Sequence, residues 1–209
     1  MIKKNNHLTK TLFASALIIC AALQSAQAGR YYHARESVEV ADHHVFGSSE
    51  RVDGATSLVR NFRHRMIEAH ISSSALEPNN AYSIWWAIFN RPQFCITPFE
   101  CTTADLEISG GDPKVMASVF WAGGFVSDGS GSANTSIRLT TGRTGRELFG
   151  QTRNYGLQNL TGAEVHVVLR THGPAGEAGP VAKQIGTANE ACPADGCKNV
   201  FASIHALGM

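Results

Sequence analysis

The sequence lacks the features that mark membrane-spanning and nucleic-acid-binding proteins. Its longest apolar run, Thr11 to Leu23, is shorter than the roughly 20 residues that a membrane-spanning helix needs. Charged residues make up only 17% of the chain, and 18 Lys and Arg stand against 17 Asp and Glu. Nucleic acids and acidic membranes attract clustered, surplus Lys and Arg. The composition therefore argues against a nucleic-acid partner and against a membrane span in the mature chain.

The motifs of common catalytic sites are also missing. There is no G-x-S-x-G string, no phosphate-binding glycine loop ending in Lys-Ser or Lys-Thr, and no dinucleotide-binding fingerprint. No pair of acidic residues has a spacing that points to acid–base catalysis. The sequence leaves enzymatic activity open but favours a protein without one.

The first 28 residues have the pattern of a signal peptide. Three lysines precede the short apolar run, and Ala26 and Ala28 provide the small residues of a cleavage site. Cleavage after Ala28 leaves about 180 residues, which suits one domain with a sizeable core. We predict a signal peptide (1–28), a polar segment (29–54) and a β-domain (55–209), exported to the periplasm or the exterior of a bacterial cell.

Four cysteines follow the predicted signal peptide, an even number that indicates disulfides in an oxidising compartment. Of three possible pairings, we favour Cys95–Cys101 and Cys192–Cys197, because each short loop contains Pro or Gly. The chain-entropy model assigns each such loop roughly 2.3 kcal/mol. The alternative, a zinc site made of four thiolates, has unsuitable ligand spacing and an unsuitable compartment.

Apolar and polar residues alternate along several short segments separated by Gly and Pro, which is typical of antiparallel strands. We predict strands at 65–74, 81–90, 114–122 (extended to 126 through a glycine bulge), 132–139, 163–172 and 200–206. Weaker strands are expected at 37–40 and within 180–189, and one helical turn at 146–149. The pattern predicts an all-β antiparallel sandwich, immunoglobulin-like or jelly-roll-like, with two local disulfides.

The segment from Ala81 to Cys101 organises this prediction, because its strand is apolar on both faces. Trp85 and Trp86 are neighbours, so they point to opposite faces of the strand and do not form one flat binding platform. We expect the strand to be central and any function to lie at the strand ends around it. The predicted core aromatic residues are Tyr82, Trp85, Trp86, Phe89 and Trp121.

The string Asp128-Gly129-Ser130-Gly131-Ser132 matches the D-x-S-x-S metal-binding motif of von Willebrand A-type domains. In those domains a long helix follows the motif, whereas the segment after Ser132 alternates like a strand. Asp-Gly between two strands is itself a hairpin signal. We therefore predict a hairpin rather than a Mg²⁺ site.

Histidines provide the best candidates for a metal site. His166 and His172 are expected on the polar, solvent-facing side of one strand, about 20 Å apart, too far to share an ion. His172 at the strand end would instead need His205, Glu164 or the His43-His44 pair as a co-ligand, and the metal would be Zn or Cu. Such histidines are commonly just solvated, so the leading interpretation has no cofactor.

Two strings, WW-x-x-FN-x-P-x-x-C and EVH-x-V-x-R-x-HGP, carry a resemblance to a known family. With the terminal NVFASIHAL segment, they make the chain similar to a family of small exported bacterial proteins. The resemblance covers about two thirds of the mature chain, outside the region around His43 and His44. It implies a β-sandwich and export, and it implies no particular activity.

We therefore expect an exported, non-catalytic binding or structural β-sandwich module whose ligand and partners the sequence leaves unknown. The alternative is a metal-binding sandwich that uses strand-end histidines, with or without catalysis.

Overall fold

The computed structural model describes residues 54–145 and 153–206. These residues contain seven antiparallel strands and one short helix. These residues belong to one structural unit, 33–209. The strands are β1 (Ala55–Asn61), β2 (Met66–Ser73), β3 (Asn80–Phe89), β4 (Ala117–Val126), β5 (Ala133–Thr140), β6 (Glu164–Pro174) and β7 (Lys198–His205), and the helix is α1 (Val181–Gly186). Short 3₁₀ turns lie at Pro92–Phe94, Thr103–Asp105, Glu107–Ser109 and Pro113–Val115.

The strands form two sheets, in the orders β1-β2-β5 and β4-β3-β6-β7. Immunoglobulin-like sandwiches likewise place their first, second and fifth strands in one sheet and their third, sixth and seventh in the other. The predicted antiparallel sandwich is therefore confirmed. The fourth strand differs, because β4 pairs with β3 here and does not join the sheet of β1, β2 and β5 as it does in the constant-type immunoglobulin sandwich.

The space between the sheets holds the main core, which we call the inner core. Alternate residues of β3 and β6 supply Trp86 and Val167, and β2 supplies Ile67 and Ile71. Trp86 is only 1% exposed, and a buried Trp on the third strand is typical of immunoglobulin-like domains. The period-2 pattern in the sequence therefore predicted the inward-facing residues of these strands correctly.

A second core lies on the opposite face of the four-stranded sheet, which we call the outer face. Trp85, Ala87 and Phe89 of β3 pack there beneath the Cys95–Cys101 loop. Trp121 is partly buried against this cluster, and its indole N–H donates to the Ile185 carbonyl at 2.8 Å. Trp85 and Trp86 thus lie on opposite faces, as predicted, and β3 is buried on both.

Both predicted disulfides are confirmed. The Cα atoms of Cys95 and Cys101 are 5.4 Å apart, and those of Cys192 and Cys197 are 5.0 Å apart. The two loops differ in their environment, because the first pair is buried and the second is partly exposed.

Most predicted strands are confirmed, but β1 was missed because its segment, ATSLVRN, is short and only weakly alternating. The strand expected from Lys114 begins at Ala117, because a 3₁₀ turn occupies Pro113–Val115 and Met116 has a φ of 53°. Its glycine-rich extension to Val126 is confirmed, with a register shift opposite Ile84 and Trp85.

Two predictions about secondary structure were wrong. The Asp128-Gly129 turn does not close a hairpin, since β5 pairs with β2 in the other sheet. The Asp128 carboxylate accepts hydrogen bonds from the backbone N–H groups of Ser130 and Ser132, which stabilises a loop that crosses between the sheets. The strand expected within 180–189 is instead α1, which begins directly after its N-cap residue, Pro180.

Several predictions fall outside the described residues: the signal peptide, the strand at 37–40 and the helical turn at 146–149. Among the described residues, no helix has the length and apolar character needed to cross a bilayer.

The inner core makes stability depend on pH through His205, which is buried beside Thr56 of β1. Burial, together with the positive charge of Arg60, lowers the pKa of His205 from 6.5 to about 4. The unfolded chain therefore binds a proton below pH 6.5 that the folded protein excludes. We expect the free energy of unfolding to be constant above this pH and to fall by on the order of 3 kcal/mol towards pH 4.

Urea unfolding between pH 4 and pH 8 measures this effect in the wild type, in His205→Gln and in the exposed-site control His70→Gln. His205→Gln should remove much of the fall in the free energy of unfolding at low pH, and His70→Gln should leave that fall unchanged. Equal pH dependence in all three proteins would contradict the assignment to His205.

Candidate functional site

The outer face of the four-stranded sheet gathers the polar residues that the sequence singled out. Alternate residues of β6 share this face, as predicted, and run in the order Glu164, His166, Val168, Arg170 and His172. They were expected to face solvent, which was wrong, since His166 and His172 are both 0% exposed and Glu164 is 1% exposed. The face is therefore a buried surface rather than a solvated one.

Two disulfide-containing segments cover the outer face and explain this burial. The segment 90–116 packs over one end, where the Cys101 N–H donates to Glu164 Oε1 at 2.9 Å. At the other end lie α1 and the loop 187–197, from which the Glu190 carbonyl lies 3.2 Å from His172 Nδ1. Local strand patterns do not reveal such covers, because the covering segments are irregular.

The first buried pair is Glu164 and His166. Glu164 Oε1 lies 2.6 Å from His166 Nε2, and both side chains are inaccessible to solvent. The Phe89 ring packs against the imidazole at a centroid distance of 5.0 Å. Because Glu164 also accepts the Cys101 N–H, the pair connects the disulfide loop to the sheet.

An apolar cleft of about 180 Å³ lies in the middle of the outer face. Its residues combine an aromatic and aliphatic floor with polar groups: Trp85, Thr103, Leu106, Val119, Val168, Arg170 and Asn199. Trp85 and Val168 are cross-strand partners in the β3–β6 ladder, so their side chains lie side by side. An apolar cleft with a few polar groups is the usual form of a small-molecule site.

Arg170 supplies the positive charge of the cleft. Its guanidinium donates at 2.8 Å to three neutral oxygens, the Ala188 carbonyl and the side-chain amides of Asn189 and Asn199. Partial burial lowers its pKa, but an arginine remains charged at neutral pH. These bonds fix the guanidinium beside an apolar surface.

His172 lies at the end of the outer face and contacts the second disulfide. Its Nε2 is 2.9 Å from Ser83 Oγ, which accepts the Trp85 indole N–H, also at 2.9 Å. Its Nδ1 is 3.0 Å from Cys197 Sγ. Burial lowers the pKa of His172, and the charge of Arg170 lowers it further. The contact of the imidazole with the Glu190 carbonyl acts in the opposite direction and raises this pKa.

The predicted metal ligands His172, His205 and Glu164 are not brought together. Val165 and His205 are cross-strand partners, so His205 faces the inner core, whereas Glu164 and His172 lie at different ends of the outer face. Among the described residues, His172 instead groups with Cys192 and Cys197, whose potential ligand atoms all lie within 4.8 Å of one another.

Sequence reasoning missed the cleft and the partners of His172. The signal for the cleft was present in Val168, an apolar residue among the polar ones of β6. The signal for the second group was the location of His172 at a strand end, next to the Gly173-Pro174 stop. No pattern, however, indicated that the Cys192–Cys197 loop folds back onto it.

Comparisons of the chain with models of protein families, with curated proteins and with solved structures give no significant match.

Because Glu164 connects the disulfide loop to the sheet, we expect its replacement to destabilise the protein more than replacement of Glu68. Glu164→Ala leaves the Cys101 N–H and His166 without their buried acceptor, which should lower the free energy of unfolding by on the order of 3 kcal/mol. Glu68 is partly exposed and pairs with Arg138 at 2.9 Å, so Glu68→Ala should cost less than about 1 kcal/mol. Urea unfolding of the oxidised proteins tests this, and equal losses would contradict the structural role of Glu164.

Proposed function

We propose that the protein is an exported binding module that takes a small carboxylate with an apolar body in the outer-face cleft. The observation that carries the proposal is the cleft itself, where an indole and aliphatic side chains lie next to a fixed guanidinium. An apolar floor contributes affinity, and a few oriented polar groups contribute specificity.

The size of the cleft limits the ligand. A buried apolar cavity of about 150 Å³ accommodates benzene, so a cleft of about 180 Å³ suits one ring or a short alkyl chain. Drug-sized ligands generally occupy about 300 Å³ or more. A body of about one ring, with its carboxylate towards Arg170, matches both the volume and the chemistry.

The charge of the ligand follows from Arg170. A guanidinium binds carboxylates through paired, charge-assisted hydrogen bonds. A carboxylate would add an ionic attraction to the hydrogen bonds that Arg170 makes with Asn189 and Asn199. An uncharged analogue of the same shape should bind more weakly.

Export is part of this proposal. Two disulfides are compatible with an oxidising, exported location. The signal-peptide pattern of residues 1–28 and the resemblance to small exported bacterial proteins support the same location.

A metal-dependent function that combines His172 with His205 or Glu164 has less support. These side chains lie on different faces or at different ends of the sheet, and the polar chemistry around the cleft does not involve them. The geometry therefore favours the binding module over this alternative.

Calorimetric titration with phenylacetate, hexanoate and phenylacetamide tests the proposal on the purified oxidised protein. We expect the carboxylates to bind, with phenylacetamide at least about tenfold weaker because it lacks the charge. No binding of either carboxylate at millimolar concentration would contradict the proposed ligand class.

Two variants locate the binding. Val119→Phe fills the floor of the cleft, and Thr103→Phe obstructs its edge without changing a fully buried residue. Each should weaken phenylacetate binding at least about tenfold. Val126→Phe is the matched control for Val119→Phe, since both residues lie on β4 but Val126 is exposed. Equal weakening in the control, or none in the cleft variants, would place binding elsewhere.

A further inference from the structure

We propose that His172, Cys192 and Cys197 form a copper(I) site that becomes available when the Cys192–Cys197 disulfide is reduced. The site is separate from the apolar cleft and does not depend on the proposed ligand. Its basis is the convergence of one imidazole and two sulfur atoms within 4.8 Å.

The imidazole is already oriented towards the sulfur atoms. His172 Nδ1 lies 3.0 Å from Cys197 Sγ, and Nε2 lies 2.9 Å from the buried hydroxyl oxygen of Ser83. A metal-binding histidine typically uses one ring nitrogen as the ligand and donates the N–H of the other to a fixed acceptor. Copper(I) at Nδ1 selects the tautomer with the proton on Nε2, for which Ser83 Oγ is the acceptor, and it replaces the contact of Nδ1 with the Glu190 carbonyl. Ser83 is itself positioned by the Trp85 indole.

The second disulfide is accessible, whereas the first is not. Cys192 and Cys197 are partly exposed, and Cys95 and Cys101 are buried. Thiol–disulfide exchange requires access of the attacking thiolate to a disulfide sulfur. A dithiol should therefore reduce Cys192–Cys197 selectively and leave the other disulfide intact.

The chemistry balances in two steps. An external dithiol gives two electrons and two protons to the Cys192–Cys197 bond, forming two thiols and becoming a disulfide itself. One copper(I) ion then replaces the two thiol protons, which are released to solvent, and also binds His172 Nδ1.

The ligand set favours copper(I) over zinc. Thiolates are soft ligands that suit both copper(I) and zinc, so the number of ligands decides, and two thiolates with one imidazole give a three-coordinate site. Structural zinc sites generally use four protein ligands, whereas the group found among the described residues has three members.

The first test is selective reduction of the full oxidised protein. Brief treatment with dithiothreitol, alkylation and peptide mapping should label Cys192 and Cys197 but not Cys95 and Cys101. Labelling of the buried pair first would contradict the inference.

The second test is competition for copper(I) against the chromogenic chelator bicinchoninate without oxygen. Reduced wild type should remove one copper(I) per chain, and the oxidised protein and Cys192→Ser/Cys197→Ser should remove none. His172→Asn should bind at least about tenfold more weakly. Near-ultraviolet circular dichroism confirms that each variant is folded, and the double Cys variant keeps His172 in case His172→Asn does not fold.

Three further results would overturn the proposal: equal copper binding by oxidised protein, unchanged binding in folded His172→Asn, or tighter binding of zinc than of copper(I) in a parallel competition.

Discussion

The structure depends on one constraint, which is that the β3 strand is buried on both of its faces. Trp86 closes the inner core, while Trp85 of the same strand needs a second cover on the outer face. That cover comes from irregular segments that cannot hold a fixed shape through strand ladders. The two disulfides and the buried contacts of Glu164 and His172 attach these segments to the sheet.

Burial of the outer face determines its chemistry. Polar side chains that would be ordinary on a solvated strand must find partners once they are covered. Glu164 and His166 pair with each other, and His172 contacts Ser83 and the second disulfide. Between these two ends, among the described residues, lies the cleft lined by Trp85 and Val168. Any binding function is therefore expected on the face of the central strand, and not only at strand ends.

The sequence predicted the regular part of the molecule and not its covers. Alternation in β2 and β6 and the two-sided apolar pattern of β3 indicated the sandwich, because pleated strands impose a period of two on burial. The same rule identified the shared face of Glu164, His166 and His172 but left it in solvent. These side chains are buried by contacts between residues far apart in the chain, such as Cys101 with Glu164 and Cys197 with His172. The passage of the chain from one sheet to the other after Asp128 was missed for the same reason, since the pairing of β5 with β2 depends on contacts between distant segments.

Histidine footprinting tests the covered outer face most directly. The native oxidised protein would be treated briefly with diethylpyrocarbonate and analysed by peptide mass spectrometry. We expect rapid modification of the exposed His64 and His70 and protection of His166 and His172 until the protein unfolds. Modification of His166 and His172 at the rate of His70 would instead show that the outer face is open to solvent.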